Sequence, residues 1–111
     1  MEISETRSGT TLVIMPAGRL SAESAPAFQE RVLTLIDAGE PSVLLDLAQL
    51  DYISSAGLRS LLIAAKRVQA LDGRFALCAL TENVGHVFRM SGFDAIFDVF
   101  PDRDTALRSL A

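Results

Sequence analysis

The sequence predicts an α/β fold: a mostly parallel sheet of four or five strands with an antiparallel N-terminal edge, and about four helices. Three observations carry this expectation. Short continuous apolar runs, SVLLDL at 42–47 and FALCAL at 75–80, are too brief for buried helices and read as strands covered on both faces. Other stretches place apolar residues at three- and four-residue steps, the period of an amphipathic helix. The two kinds of segment alternate, as they do where helical crossovers join parallel strands. At 111 residues the chain is long enough for one core and too short for two, so a single domain over 1–111 is expected.

Residues 2–7 (EISETR) alternate loosely, Ser8-Gly9 supplies a turn, and TLVIMPAG at 11–18 resumes with β-branched and apolar residues, which together read as an edge hairpin. Pro16 lacks an N–H, so the second strand either ends there or has an unpaired side. A first helix follows, with Ser21 as its expected N-cap, Glu23 and Glu30 biased toward its N-terminal half, and Ala25, Phe28, Val32, Leu35 and Ile36 at helical spacing. Gly39 suits its stop.

After SVLLDL comes DLAQLDYISSAGL at 46–58, where an apolar run stops at Ser54 and Ser55 and a second helix begins. Leu58, Leu61, Leu62, Ala65, Val68 and Leu71 form its expected apolar face, with Arg59, Lys66, Arg67 and Gln69 between them, and Gly73 its end. Following FALCAL, Thr81 caps a third helix carrying Val84, Val87 and Phe88 and stopping near Gly92. A short apolar piece, AIFDVF, precedes Pro101 and Asp102, which open a last helix with Ala106, Leu107 and Leu110 inward.

Composition narrows the function classes. Half the residues are apolar and 22% charged, which is globular rather than disordered. A net charge of −4 offers no basic footprint for nucleic acid. The N-terminus, MEISETRSG, is acidic where a signal peptide would be basic, and no apolar run approaches the roughly 20 residues of a membrane span, so a soluble, cytoplasmic protein without membrane insertion is expected. Cys78 is single and lies in an apolar run, so it reads as a small buried hydrophobe.

Candidate chemistry reduces to the Ser54–Ser55 junction. One His and one Cys without metal-ligand spacing exclude a metal site, and no phosphate-cradling glycine pattern occurs, so no cofactor is expected. A hydrolytic relay of Ser55, His86 and Asp46 or Asp51 is conceivable, but I-S-S-A-G is not the G-x-S-x-G elbow, and His86 reads as a surface histidine. At a helix start the first N–H groups lack intrahelical partners and the dipole favours negative charge. Either serine can cap the helix, with Gly57 allowing a close turn; a phosphate there would bring about −1.5 to −2 charges to a place that tolerates anions.

D-L-A-Q-L-D-Y-I-S-S-A-G-L resembles the signature of the STAS family, the sulfate-transporter and anti-sigma-factor-antagonist domain. G-R-L-S-A at 18–22 resembles the family's segment before its first helix, and V-F-R-M-S-G-F at 87–93 the end of its third. The resemblance implies a STAS-like fold and a non-enzymatic anti-sigma factor antagonist. In such proteins a serine at the start of the second helix is phosphorylated by an anti-sigma factor that is a GHKL-type serine kinase, and a PP2C-type phosphatase restores it. The unphosphorylated form binds the anti-sigma factor and frees a sigma factor. The phosphoacceptor position falls on Ser55, with Ser54 its neighbour. Ser54, Ser55, Ala56 and Gly57 form the implied contact surface, which the first helix and the loop around Ser21 complete. Arg59, about one helical turn beyond, either meets an acidic partner surface or lies on a solvated face. Ser54 and Ser21 stand where the family often has acidic residues, which bears on which kinase and phosphatase are accepted. The alternative is a STAS subunit or regulator of a membrane transport complex without a phosphorylation cycle.

Overall fold

The computed structural model describes all 111 residues. Six strands, β1 (Glu2–Ser8), β2 (Thr11–Leu20), β3 (Ser42–Asp46), β4 (Leu50–Ile53), β5 (Arg74–Cys78) and β6 (Val99–Phe100), alternate with helices α1 (Ala25–Asp37), α2 (Ser55–Ala70), α3 (Glu82–Ser91) and α4 (Arg103–Leu110). The sheet order is β1-β2-β3-β5-β6, with β4 paired to β2 beyond the end of β3. Only β1–β2 is antiparallel; the other pairings are parallel. This is the expected architecture with one extra strand: Leu50–Ile53, expected as the run-up to a helix, pairs with β2 residues Gly18–Leu20.

Alternation along the central strands divides the core between two faces. Leu12, Ile14, Val43, Leu45 and Leu77 belong to the larger cluster, with Phe28, Val32 and Ile36 of α1, Leu58, Leu61, Ala64 and Val68 of α2, and Val84 and Phe88 of α3. Val13, Leu44, Ala76 and Cys78 belong to the smaller cluster, with Ala106 and Leu110 of α4. Every residue of β3 is buried, as a strand covered on both sides requires.

Pro16 lies inside β2, opposite Ile3 of β1. On its other side β2 pairs with β3 through Ile14 and with β4 from Gly18, so the proline falls in the gap between two partners, where its missing N–H breaks no ladder bond.

Three boundaries correct the sequence reading. Helix α1 is flanked by Ser24, not capped by Ser21, because Pro26 has no N–H to continue a ladder from Ala22 and is accommodated only in a first turn. Glu23 therefore lies outside the helix, whose first turn has no acidic residue. Leu71 ends α2 53% exposed rather than on its apolar face, and buried Ser60 and Ala64 occupy that face instead. After α2 the left-handed residue is Asp72, φ 59°; Gly73 is needed for another reason, since a Cβ there would lie 2.9 Å from Val68 Cγ1 and 3.0 Å from the Pro41 carbonyl oxygen. Gly39 and Gly92 do take left-handed φ just beyond α1 and α3, as expected.

Phe28 is 1% exposed in the larger cluster, so Phe28→Ala lowers stability by about 3–5 kcal/mol. Leu71→Ala changes it by less than about 0.5 kcal/mol. Urea denaturation of the two variants checks both, and equal losses would contradict the assignment of faces.

Candidate functional site

The junction between β4 and α2 is fixed from both ends. The Thr81 hydroxyl donates to the Leu50 carbonyl at 2.9 Å at the start of β4, and the Ser54 N–H donates to the Leu20 carbonyl at 2.9 Å at its end. Leu20 pairs with Ile53, so Ser21 and Ser54 leave the sheet side by side. Gly57 then packs directly onto this pair: a Cβ there would lie 2.8 Å from Leu20 Cγ, 2.8 Å from Ile53 Cγ1 and 2.9 Å from the Leu20 carbonyl oxygen. Contacts that short do not occur, so the position is closed to any side chain.

This geometry divides the two serines. Ser54 has extended backbone (φ −95°, ψ 174°), and its Oγ accepts from the Gly57 N–H at 3.2 Å, the bond of an N-cap. Ser55 is the first residue of α2 and is exposed, while Ser54 is half-buried. The Leu58 N–H makes the first helical bond, to the Ser54 carbonyl at 2.9 Å. The Ser55 and Ala56 N–H groups precede that ladder, at the positive end of the helix dipole. Of the two candidates the sequence leaves open as the cap, Ser54 takes that work, and the Ser55 hydroxyl stands in solvent beside N–H groups suited to an anion.

Ser21, expected as a helix cap, belongs to a turn instead. Its N–H donates to Ser24 Oγ at 2.9 Å, and that hydroxyl donates to the Arg19 carbonyl at 2.8 Å. On the adjoining surface the Arg19 guanidinium lies 4.2 Å from the centre of the Tyr52 ring, a cation–π contact across β2 and β4. Arg59 is exposed and makes no ion pair; it lines a groove of about 370 Å³ between α1 and α2, with Ala56 and Ser60 on its own helix and Ala25, Pro26, Gln29 and Glu30 opposite. The structure thus gathers Ser21 and residues 54–57 at one end of the sheet and sets Arg59 one turn away, facing α1. Glu30, read from sequence only as a dipole partner, is the residue the sequence missed here; its place in the groove depends on how α1 and α2 pack.

The residues of the conceivable hydrolytic relay do not assemble. Asp46 accepts from Arg103 Nε at 2.8 Å and from the Ala48 N–H at 3.0 Å. Asp51 and His86 are exposed, and no hydrogen bond links Ser55 to either. Cys78 is fully buried, and burial, with the Asp46 charge nearby, pushes its thiol up to about 12, so it carries no thiolate near neutral pH.

Comparison with known proteins gives a consistent result. The family model described as "STAS domain" matches residues 2–106. BtrV of Bordetella bronchiseptica, named as a candidate anti-sigma factor antagonist, is 37% identical over 106 residues, covering 96% of this chain and 91% of that protein. Among solved structures, a candidate anti-sigma factor antagonist from Thermotoga maritima superposes with a TM-score of 0.92 at 22% identity, over 97% of this chain and 93% of that one. The Bacillus cell fate determinant SpoIIAA in its phosphorylated form gives 0.75 at 19% identity, over 99% and 100%. At these identities the two structures speak to the fold alone.

Gly57→Ala forces Leu20 and Ile53 apart and costs about 1–3 kcal/mol by overpacking. Ser54→Ala costs about 1 kcal/mol through loss of the cap, whereas Ser54→Asp, an equally good cap, stays within a few tenths. Denaturant midpoints of the three variants test this; a Ser54→Ala variant as stable as the wild type would contradict the capping assignment.

Proposed function

The chain belongs to the STAS domain family, and from that premise we propose that it is an anti-sigma factor antagonist working by partner switching, with Ser55 as its phosphoacceptor. The observation that carries the reading is the division of labour at the start of α2: Ser54 caps the helix, while Ser55 is exposed with its hydroxyl free. A modified residue has to reach a kinase and must not be needed by the fold. Ser55 meets both conditions, whereas Ser54, although only half-buried, is needed as the cap.

The unphosphorylated surface of Ser54, Ser55 and Ala56, with the turn at Ser21, binds an anti-sigma factor, and a sigma factor is thereby released; Gly57, buried against Leu20 and Ile53, supports this surface from beneath and is not part of it. The anti-sigma factor is itself a GHKL-type kinase. Its ATP γ-phosphoryl group passes to Ser55 Oγ, which loses its proton as the O–P bond forms and the bond to ADP breaks. The phosphate adds about −1.5 to −2 charges beside the Ser55 and Ala56 N–H groups, where the helix tolerates them. The partner must then bury or oppose that charge. A hundredfold loss of affinity needs only about 2.7 kcal/mol, within the cost of a charge desolvated without a partner. Hydrolysis by a PP2C-type phosphatase restores the hydroxyl. This cycle places the protein in the cytoplasm, where ATP and sigma factors are; no helix is long and apolar enough to cross a membrane.

The serine at position 54 replaces the acidic residue common in relatives and keeps the capping bond without a charge next to Ser55. Ser21 likewise carries no carboxylate at its own position. A phosphate on Ser55 therefore meets less repulsion from its own chain than in relatives with acids at both places, which favours the phosphorylated state and selects a kinase and phosphatase suited to this neighbourhood.

With the host's own anti-sigma factor, Ser55→Ala binds as tightly as the unmodified wild type and Ser55→Asp about a hundredfold more weakly, a change of about 2.7 kcal/mol. Titration calorimetry reads both. Equal affinity of Ser55→Asp and wild type would sink the phosphoswitch, and a transporter subunit as the bound partner would move the protein to the transport-complex role.

A further inference from the structure

The apolar piece AIFDVF at 95–100, which the partner-switching reading leaves unused, builds a second site at the opposite end of α2 from Ser55. Strand β6 is only Val99–Phe100, because the preceding residues turn through a short 3-10 helix, Phe93–Ala95. It covers β5 only at Leu77 and Cys78. The first part of β5, Arg74–Ala76, pairs with β3 on its inner side and has no strand on its outer side. A cleft of about 360 Å³ lies there, with Phe75 and Gly73 on one wall, Ile96 and Asp98 on the other, and Val68 and Gln69 of α2 above it.

The hydrogen-bond pattern fixes what this cleft offers. Along a parallel strand the N–H and C=O of one residue point to one neighbour and those of the next residue to the other. The Arg74 N–H donates inward to the Pro41 carbonyl, whereas Leu77 and Ala79 donate outward, to the Asp98 and Phe100 carbonyls. Phe75, in phase with Leu77, therefore directs both its N–H and its C=O outward into the cleft. Neither bonds to Ile96 or Asp98, whose segment is diverted when the Ile96 and Phe97 N–H groups bond back to Phe93. The result is one unpaired donor and one unpaired acceptor in strand geometry at the edge of a sheet. Beside them stand a half-buried phenyl ring and Ile96, 57% exposed. Arg74 at one end and Asp98 at the other make no ion pair.

We propose that this cleft binds a short extended peptide segment of a partner protein by strand addition to β5, with its backbone on Phe75, an apolar side chain between Phe75 and Ile96, an acidic residue at the Arg74 end and a basic one at the Asp98 end. An extended strand matches the Phe75 pair because it supplies an acceptor and a donor on the same side of one stretch of backbone, while side-chain pockets give the selectivity. The site lies about 20 Å along α2 from Ser55, taking 1.5 Å per helical residue, so it is free to be occupied in either phosphorylation state.

The test is an NMR titration of the isotope-labelled full chain with the pentapeptide acetyl-Lys-Val-Val-Val-Asp-amide, which as an antiparallel strand sets Lys at the Asp98 end and Asp at the Arg74 end and pairs its central valine with Phe75, and with the same peptide N-methylated at that valine. The proposal expects amide shifts centred on Phe75 and its neighbours, with a dissociation constant of about 1 mM or tighter. It also expects about tenfold weaker binding of the N-methylated peptide, which has lost the donor to the Phe75 carbonyl. Because that change is in the peptide, the fold of the protein is untouched. Arg74→Glu, at an exposed position, weakens binding of the parent peptide as well. Equal binding of the two peptides would mean an apolar pocket without strand addition. Shifts centred elsewhere, none at millimolar peptide, or Phe75 shifts that follow protein concentration alone and so report a second copy of the chain, would each overturn it.

Discussion

The contact on which the functional end of the molecule depends is the one with no room in it: the Cα of Gly57 against Leu20 and Ile53. It lets the first turn of α2 sit directly on the ends of β2 and β4, close enough that even a methyl group would stand 2.8 Å from two side chains. That closeness dictates the path of the preceding backbone. Ser54 must be extended to bring its N–H to the Leu20 carbonyl, and an extended residue one step before a helix is an N-cap. Ser55 then starts the helix and faces solvent. A small residue at one position thus decides which of two adjacent, chemically identical hydroxyls is structural and which is available.

The site is otherwise rigidly backed. Thr81 ties β4 to the start of α3. Asp46, 7% exposed, is held by Arg103 of α4, whose guanidinium also lies 2.9 Å from Met15 Sδ, and Asp46 in turn receives the Ala48 N–H. The loop leading from β3 into β4 is pinned at both ends, so a charge placed on Ser55 changes what a partner meets more readily than it changes the fold. That is the mechanical requirement of a switch read out by binding: a phosphate on Ser55 would act on the complex, because the free protein would absorb it at a helix terminus already suited to an anion.

Much of this was legible in the residues. The run SVLLDL became a strand buried on both faces, FALCAL supplied β5 but is buried only from Ala76 to Cys78, the helices followed their apolar spacing, and Thr81 and Asp102 cap where their chemistry suggests. Strand β4 was hidden because Leu50-Asp51-Tyr52-Ile53 is buried, exposed, exposed, buried, which matches neither strand alternation nor a continuous apolar run. Its pairing with β2 includes a register shift after Gly18 that no local pattern announces. Ser21 and Pro26 point to different starts for α1, and Pro26 prevails because it restricts the helix more severely. Ser54 and Ser55 could not be told apart as caps by physics alone, since both are equally good acceptors; the tertiary bond from the Ser54 N–H to Leu20 separates them. Likewise the groove between α1 and α2, where Glu30 faces Arg59, and the unpaired edge at Phe75 arise from packing and strand length rather than from any motif.

The central claim, that Ser55 and not Ser54 carries the switch, is tested most directly on the wild-type chain phosphorylated by its own anti-sigma factor kinase. Fragmentation mass spectrometry locates the phosphate, and titration of the purified phosphoprotein against the same partner gives the affinity. The account predicts a single phosphate on Ser55 and binding about a hundredfold weaker than that of the unmodified protein, about 2.7 kcal/mol. A phosphate on Ser54, or a phosphoprotein that binds as tightly as the unmodified chain, would contradict it.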